Sequence, residues 1–378
     1  IDCSKIYRKV ANMRMSLIPY LYNEAKYTNA TGVPMMRSMA YEFPDDAVAE
    51  TMEFQYMLGG NLLVAPIENE GQTSKLIYLP EGEWIDLFWG AKRPGESFIT
   101  YYAGLDTIPV FVRAGSVLPM NLNSDYDFGG SVGNDTTSYK NLTFRIYPSG
   151  QTNYDWYDYV DKVQRSISVN ENYAASQITI NAPVMNRTCT LQVFSGKPGA
   201  VKFGNTAISS FNDLAAFKAA SSGWYYDAQQ HLTYIKVPAS TSSAIILENV
   251  HEVPYEAEYA TLNGVDVNTN HAGYEGTGFV DNFAQAGKSV EFEIHAPANM
   301  VYTLDIRYSA GTENATRNLY VNGVMHSTVD LPKTADWDTW GTVTKSITLN
   351  KGKNTIRLSY DSGNKAGINL DNITVRKN

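Results

Sequence analysis

Lys288-Ser-Val-Glu-Phe-Glu-Ile294 and Tyr302-Thr-Leu-Asp-Ile-Arg-Tyr308 decide the fold of the C-terminal third. Apolar and polar side chains alternate along both. That is the two-residue period of a strand with one face in a core and the other in water. Leu319–Val321, Val343–Leu349 and Thr355–Tyr360 repeat the pattern, so the block reads as one β jelly roll over residues 253–378.

Upstream of a linker at His251–Pro254, short strands recur between turn residues. They include Leu62–Pro66, Lys75–Leu79, Trp84–Phe88, Ile108–Arg113, Leu142–Tyr147, Tyr154–Val160, Thr190–Phe194 and Leu232–Val237. This is the spacing of β-sandwiches. The expected division is a proximal sandwich over 67–148 and a distal one over 149–250.

The first 66 residues differ. Ile6, Val10, Met13, Leu17, Leu21 and Ala25 follow the helical period over 4–28, and Pro19 predicts a kink or a division. Val33–Met39 reads as a short buried strand, and Pro44-Asp45-Asp46 as the acidic start of a second helix running to Leu58. Helix, strand, helix is the rhythm of an α/β barrel, too short here to close one. The fold class expected is therefore mainly β: the tail of a TIM barrel over 1–66, two β-sandwich domains and a C-terminal β jelly-roll module. The chain opens a few residues ahead of its first helix without Met, so it is expected to be a piece of a longer protein. Leu17, Leu21, Met35, Met36, Tyr56 and Met57 are expected to form apolar faces that an N-terminal portion covers.

The net charge of −9, with no basic run and no Gly-rich phosphate loop, argues against nucleic acid as a partner. No apolar run reaches the roughly 20 residues of a membrane span. Cys3 and Cys189 make no metal pattern and no disulfide framework, although one bridge is compatible with them. The 26 tyrosines suit sugar rings, which pair an apolar C–H face with a rim of hydroxyls; they equally suit a β-rich fold.

An ordered set of segments carries a family resemblance. It comprises Arg14-Met-Ser-Leu-Ile-Pro-Tyr-Leu-Tyr22, Gly32-Val-Pro-Met-Met-Arg37, Glu42-Phe-Pro-Asp-Asp46, Gln55-Tyr-Met-Leu-Gly59 and Asn61-Leu-Leu-Val-Ala-Pro66. Tyr78-Leu-Pro-x-Gly-x-Trp84 and Ile108-Pro-Val-Phe-Val-Arg-Ala-Gly-Ser-Val-Leu-Pro119 complete it. Together they resemble glycoside hydrolase family 31, which includes α-glucosidases, α-xylosidases and α-transglucosylases. The resemblance implies a retaining mechanism with two carboxylates on upstream barrel strands, so no catalytic residue is assigned in this chain. Glu42, Asp45 and Asp46 read as helix-cap and loop charges, and Arg37 as a structural ion pair.

A second set runs from Tyr255-Glu-Ala-Glu258 through Gly273-Tyr-Glu-Gly-Thr-Gly-Phe-Val-Asp281, Gly287-Lys-Ser-Val290 and Trp337-Asp-Thr-Trp340 to Ile368-Asn-Leu-Asp-Asn-Ile-Thr-Val375. It resembles a carbohydrate-binding module of family 35, or its relative family 6. Glu256 and Glu258 are expected to alternate on a strand, with Asp371 on the last strand, and hard oxygens from separate strands suit Ca²⁺. The alternative is solvated strand-edge carboxylates. The resemblance places a structural calcium there, with backbone oxygens near Lys288 contributing. It also implies a sugar cleft at the loop ends using Tyr274, Trp337 and Asn369, with Asn314 and Asp281 as further members. Core packing is the other reading for Trp337 and for Trp340. Asn369 stands two residues before Asp371 and would share its side of a regular strand; a bulge would re-aim it. Asp155, Trp156, Tyr157 and Asp158 read either as an extra sugar contact or as a strand with its aromatic face in the core.

The whole therefore suggests the C-terminal part of a secreted, bacterial α-glucan hydrolase or transglucosylase, with gluco-oligosaccharide or α-glucan as its partner; the combination of the two families resembles enzymes of cycloalternan metabolism. The competing reading is a non-catalytic sugar-binding fragment.

Overall fold

The computed structural model describes residues 3–134 and 137–377. Helix α1 spans Cys3–Ser16 and helix α2 spans Ile18–Thr31. They part at Leu17, and Pro19 occupies the first turn of α2, where its missing N–H costs nothing. Gly32 ends α2 in the left-handed conformation at φ +78°.

The expected second helix does not form. Met39–Glu42 makes one turn, Ala49–Thr51 another, and Tyr56–Leu58 is a strand between Met36–Ser38 and Leu62–Val64. Two local devices explain this. The Asp46 carboxylate accepts from the amides of Val48 and Ala49 at 3.0 Å each, which holds a turn in place of a continuing helix. Gln55 then ties Tyr78 through both its backbone groups, at 2.7 and 3.0 Å, and starts the strand. The strand around Met36 is an edge strand, not a buried one: Met36 is 60% exposed and Arg37 points inward. No barrel forms among the described residues, since all strands of this region belong to open sheets.

Three sheets stack upstream of the module. The first orders Met36–Ser38, Tyr56–Leu58, Leu62–Val64, Val110–Arg113, Glu83–Asp86 and Lys92–Pro94. The middle one contains Val117–Asn121, Leu142–Ile146, Cys189–Phe194, Leu232–Val237 and Gly223–Asp227. The outer one is built on Gln151–Asp158, Val163–Asn172, Gln177–Asn181 and Ile245–Glu248. The middle sheet draws strands from both sides of the division expected at 148, because Leu142–Ile146 pairs in parallel with Thr190–Val193. It is buried on both faces. Leu118, Met120, Leu232 and Tyr234 pack towards the first sheet and α2, while Val117, Phe144, Leu191 and Ile235 pack towards the outer sheet. The strands of this middle sheet still carry polar residues, as in Leu142-Thr-Phe-Arg-Ile146, because these find buried partners: Arg145 Nε donates to Gln192 Oε1 at 2.7 Å.

This packing also consumes much of the apolar face expected to be free. Leu17, Leu21 and Met57 are buried within the chain, whereas Met36 and also Tyr7, Tyr27, Tyr41 and Phe54 remain exposed. Arg37 bonds Glu42 at 2.8 Å and faces Glu24 at 3.5 Å, so it is a structural ion pair. Trp156 is fully buried against Phe144, and Asp158 is buried between Arg165 and Arg187, so this face of the strand is core, while Asp155 on the other face is exposed. No disulfide joins Cys3, which is exposed, to Cys189, which is buried.

Residues 255–377 form two facing sheets. One orders Asp266–Asn268, Phe279–Phe283, Ile368–Lys377, Met300–Ser309 and Gly341–Leu349, with Tyr255–Glu256 beside the last strand of the chain. The other orders Thr261–Asn263, Ser289–Ala296, Gly352–Ser359, Ala315–Val321 and Val324–Leu331. Tyr302, Leu304, Ile306 and Tyr308 fill the core between them with Val290, Phe292 and Ile294, as the alternation required.

Candidate functional site

Two groups of polar residues lie on the C-terminal sandwich, and the loop 271–277 touches both. The first is acidic. Glu256 ends the strand Tyr255–Glu256, and Glu258 lies in the one-turn 3₁₀ helix Ala257–Tyr259. They do not alternate on one strand, yet the turn brings both to Gly276. A Cβ on Gly276 would stand 2.8 Å from Glu258 Oε1 and 3.0 Å from Glu256 Cδ, and its backbone already has φ +65°. Only glycine fits there.

Asp371 joins this group through a bulge. Arg307 pairs with Asn372 and Tyr308 with Leu370, so Asp371 is left over between them. The bulge switches the core-facing residues from Ile368 and Leu370 to Ile373 and Val375. The fully buried Asp371 carboxylate accepts from the Glu275 amide at 3.1 Å and is ion-paired with Arg307.

The electrostatics are lopsided. Glu256 Oε1 and Oε2 and Glu258 Oε2 are buried with no hydrogen-bond partner. Burial, then the Glu258 charge, pushes the Glu256 carboxyl well above its ordinary range. Burial also raises Glu258. Asp371 is pushed up to about 9, first by burial and then by Glu256. His231, from the turn between Gly223–Asp227 and Leu232–Val237, is held down to about 4, chiefly by burial, so it stays neutral.

Buried carboxylate oxygens without donors are costly, and a hard divalent cation satisfies them. The donor set fits Ca²⁺, which completes its shell with carbonyls and water. Among the described residues, no three acidic, imidazole or thiol side chains converge as a metal cage, so side chains alone do not complete the shell. The backbone of Gly276 packs against both carboxylates. The Lys288 carbonyl accepts from the Tyr360 amide at 2.8 Å, and its ammonium binds Asn282; these bonds hold a different part of the sandwich.

The second group is aromatic. Trp337 lies on Gly311, where a Cβ would come within 2.8 Å of indole Cδ1 and Cγ, and its Cη2 is 4.0 Å from the Cβ position of Gly367. His271 packs 6.2 Å from Trp337 and 5.9 Å from Phe279, and Phe279 contacts both Tyr274 and Trp340. Trp340 is tied down by its Nε1–H to the Ala272 carbonyl at 2.8 Å and lies under the Arg307 guanidinium, so it is a support of the loop.

Asn369 pairs with Ser309 across the ladder, two residues beyond Gly367. Both are buried, and neither Asn369 Nδ2 nor Ser309 Oγ has a partner. An unpaired amide donor and an unpaired hydroxyl beside an indole are the elements of sugar recognition: stacking for the C–H face, hydrogen bonds for the hydroxyls. Asn314 contributes differently from expectation: its Oδ1 accepts from the Lys333 amide at 2.8 Å and so shapes the loop leading to Trp337. Asp281 accepts from Asn268 Nδ2 at 2.8 Å and lies on the strand that pairs with Ile368–Leu370. Ser309, Arg307 and Gly276 are new to both groups. Arg307 was legible as a polar position of the alternating strand, but its target depends on the bulge.

Comparison with known proteins adds the family context. Residues 32–118 match the C-terminal domain of glycosyl hydrolase family 31, and residues 253–377 match carbohydrate binding module family 35. An isomaltosyltransferase of Sporosarcina globispora is 49% identical over 98% of this chain and 34% of its own length. A 1,6-α-glucosyltransferase of the same organism is 32% identical over 97% of the chain and 31% of its length. The cycloalternan-forming enzyme of Listeria monocytogenes, solved with a pentasaccharide substrate, superposes with TM-score 0.95 at 45% identity, over 99% of this chain and 35% of that one. A Listeria monocytogenes protein matching with the same TM-score and identity was solved with glucose, magnesium and calcium. The chain thus spans about a third of the length of the relatives it matches.

Proposed function

From a chain that carries the C-terminal domain of glycosyl hydrolase family 31 beside a family 35 carbohydrate-binding module, we propose the C-terminal portion of a retaining, α-glucan-active hydrolase or transglucosylase. Its module binds gluco-oligosaccharides through Trp337, Ser309 and Asn369. The observation that carries the binding role is the pair of buried, unpartnered groups, Asn369 Nδ2 and Ser309 Oγ, each two residues from a glycine on which the Trp337 indole packs. The names of the two Sporosarcina globispora relatives support transfer of glucosyl units as the reaction class.

Calcium is held by Glu256, Glu258 and Asp371. It fixes the loop 271–277, which carries Tyr274 and His271 towards the aromatic group, and takes no part in chemistry. The catalytic carboxylates belong to an N-terminal portion. Retaining enzymes hold such a pair about 5–5.5 Å apart, and the acidic residues of the first segment are otherwise employed. Glu42 bridges Arg37 and Arg113, and Asp46 caps a turn and accepts from the Tyr78 hydroxyl at 2.8 Å. The exposed Tyr7, Tyr27, Met36, Tyr41 and Phe54 supply an apolar surface for that portion. The module raises the local concentration of a glucan at the reacting end by tethering it. A polymeric substrate places the protein outside a bacterial cell.

The test compares the 378-residue chain with the intact protein on a panel of α-glucosides. Turnover by the intact protein, with sugar binding but no turnover by the chain, is expected. Turnover by the chain alone would overturn the assignment.

A further inference from the structure

We propose a second saccharide site in the crevice between the first sheet layer and the C-terminal module. The inference rests on the reading that the protein handles α-glucans. The crevice has a volume of about 740 Å³. One wall is the turn carrying Trp89 and the strand Ser97–Tyr102; the other is the segment Glu258–Leu262 and the strand Ser289–Ala296 of the module. Size and position at a domain boundary are those of ligand sites, which run about 300–1,000 Å³.

The lining has the chemistry of a sugar and of little else. Trp89 is 49% exposed, Phe98 47% and Tyr102 78%. These rings are left in water along one side of the crevice, with Tyr101 and Tyr259 deeper in the same lining. Glu291 and Glu293 face them from the module. They pair with Arg357 at 3.7 Å and Lys353 at 2.6 Å, and their oxygens can accept from vicinal hydroxyls. Ser97–Tyr102 pairs with Ser74–Leu79 alone, which leaves its other edge as a row of backbone donors and acceptors. Arg93, the basic residue of the lining, is spent on the Tyr259 carbonyl. An anionic ligand finds no free cation there, whereas a neutral polyol finds ring faces, carboxylates and backbone groups together.

None of the residues around Trp337 lines this crevice, so the module presents two separate surfaces to saccharide. Two weak sites on one rigid body hold a long chain far better than either alone.

The test uses the intact protein and a site-resolved readout: isomaltotriose bearing a photoreactive diazirine, with labelled peptides mapped by mass spectrometry. Labelling within residues 86–102 is expected. Unlabelled isomaltotriose should compete it away, and the surface substitutions Trp89→Ala and Tyr102→Ala together should reduce it at least tenfold. It should persist in Trp337→Ala. Labelling at the Trp337 and Asn369 peptides alone would overturn the crevice site and leave the proposed function standing. Labelling that vanishes from 86–102 in Trp337→Ala would also overturn it. Absence of label throughout the chain would sink both.

Discussion

His231 Nε2 lies 3.3 Å from Glu256 Oε1, and both side chains are only 4% exposed, although the two belong to different units of the fold. His231 stands at the tip of a hairpin of the middle sheet with φ +52°. Its carbonyl accepts from the Ser195 amide at 2.9 Å, and the carbonyl of Gln230 lies where a Cβ on Gly90 would be, 2.8 Å away. The tip is therefore wedged between the first sheet layer and the module. The approach to Glu256 lacks hydrogen-bond geometry, so both oxygens of Glu256 stay unpartnered and a neutral imidazole leaves their charge uncompensated.

Cation removal should therefore destabilise the junction in a pH-dependent way. In cation-free protein the folded state keeps Glu256, Glu258 and Asp371 protonated where the unfolded chain has released those protons. Stability then falls as pH rises from the ordinary carboxylate range near ~4 towards the raised Asp371 value of about 9. Calcium compensates the charge and removes most of that slope. Melting temperatures with calcium and with a chelator should differ clearly at pH 8 and converge towards pH 5. Equal values at pH 8 would contradict the cation site.

Asp158 has the opposite sign. Burial acts against its ionisation, but hydrogen bonds and charge from Arg187, with Arg165, outweigh it and hold the carboxyl below its ordinary range. Its contribution is present above the unfolded pKa and is lost as pH falls through the folded one. Asp158→Asn leaves two arginines facing a neutral group and should cost about 3–5 kcal/mol in urea unfolding. A loss below ~1 kcal/mol would show that the pair is solvated.

Gly59→Ala tests the seam between α2 and the strand Tyr56–Leu58. The new Cβ would fall 2.1 Å from Tyr20 Oη, at a backbone φ of +65°. Tyr20 also donates to the Leu58 carbonyl at 2.8 Å, so it cannot retreat without losing that bond. A destabilisation of about 1–3 kcal/mol is expected. Neutral behaviour in denaturant titration would mean the helix moves freely on the sheet.

How far the sequence could be read depended on how local the cause was. The strand Met300–Ser309 was legible because its alternation reports a half-buried face directly. The second helix was misread because Ala49 to Leu58 carries helix-compatible residues, while the decisive bonds run from Gln55 to Tyr78, far along the chain. The parallel pairing of Leu142–Ile146 with Thr190–Val193, across the division expected at 148, was hidden for a similar reason: the partner leaves no mark on either strand's own sequence. At the candidate site, Glu256, Glu258, Trp337 and Asn369 could be named from the sequence, but the residues packed against them could not. Nothing local to Gly276 says that it packs on two carboxylates. His231 belongs to another unit, and Ser309 resembles any polar strand residue until the bulge at Asp371 sets the register.

Ser309→Ala and Asn369→Ala should each weaken oligosaccharide binding several-fold while leaving the fold intact. Both atoms are unpartnered, so no internal bond is lost on substitution. Unchanged affinity in both variants would place the ligand elsewhere on the module.

The most direct measurement is calorimetric titration of a linear α-gluco-oligosaccharide into the wild-type chain and into Trp337→Ala. The indole packs on Gly311 and reaches the Cβ position of Gly367, so its removal should cost about 1–3 kcal/mol of binding, a loss of roughly five- to 150-fold. Wild-type binding that is unaltered by Trp337→Ala, or no binding by the wild type, would contradict the module's assigned role.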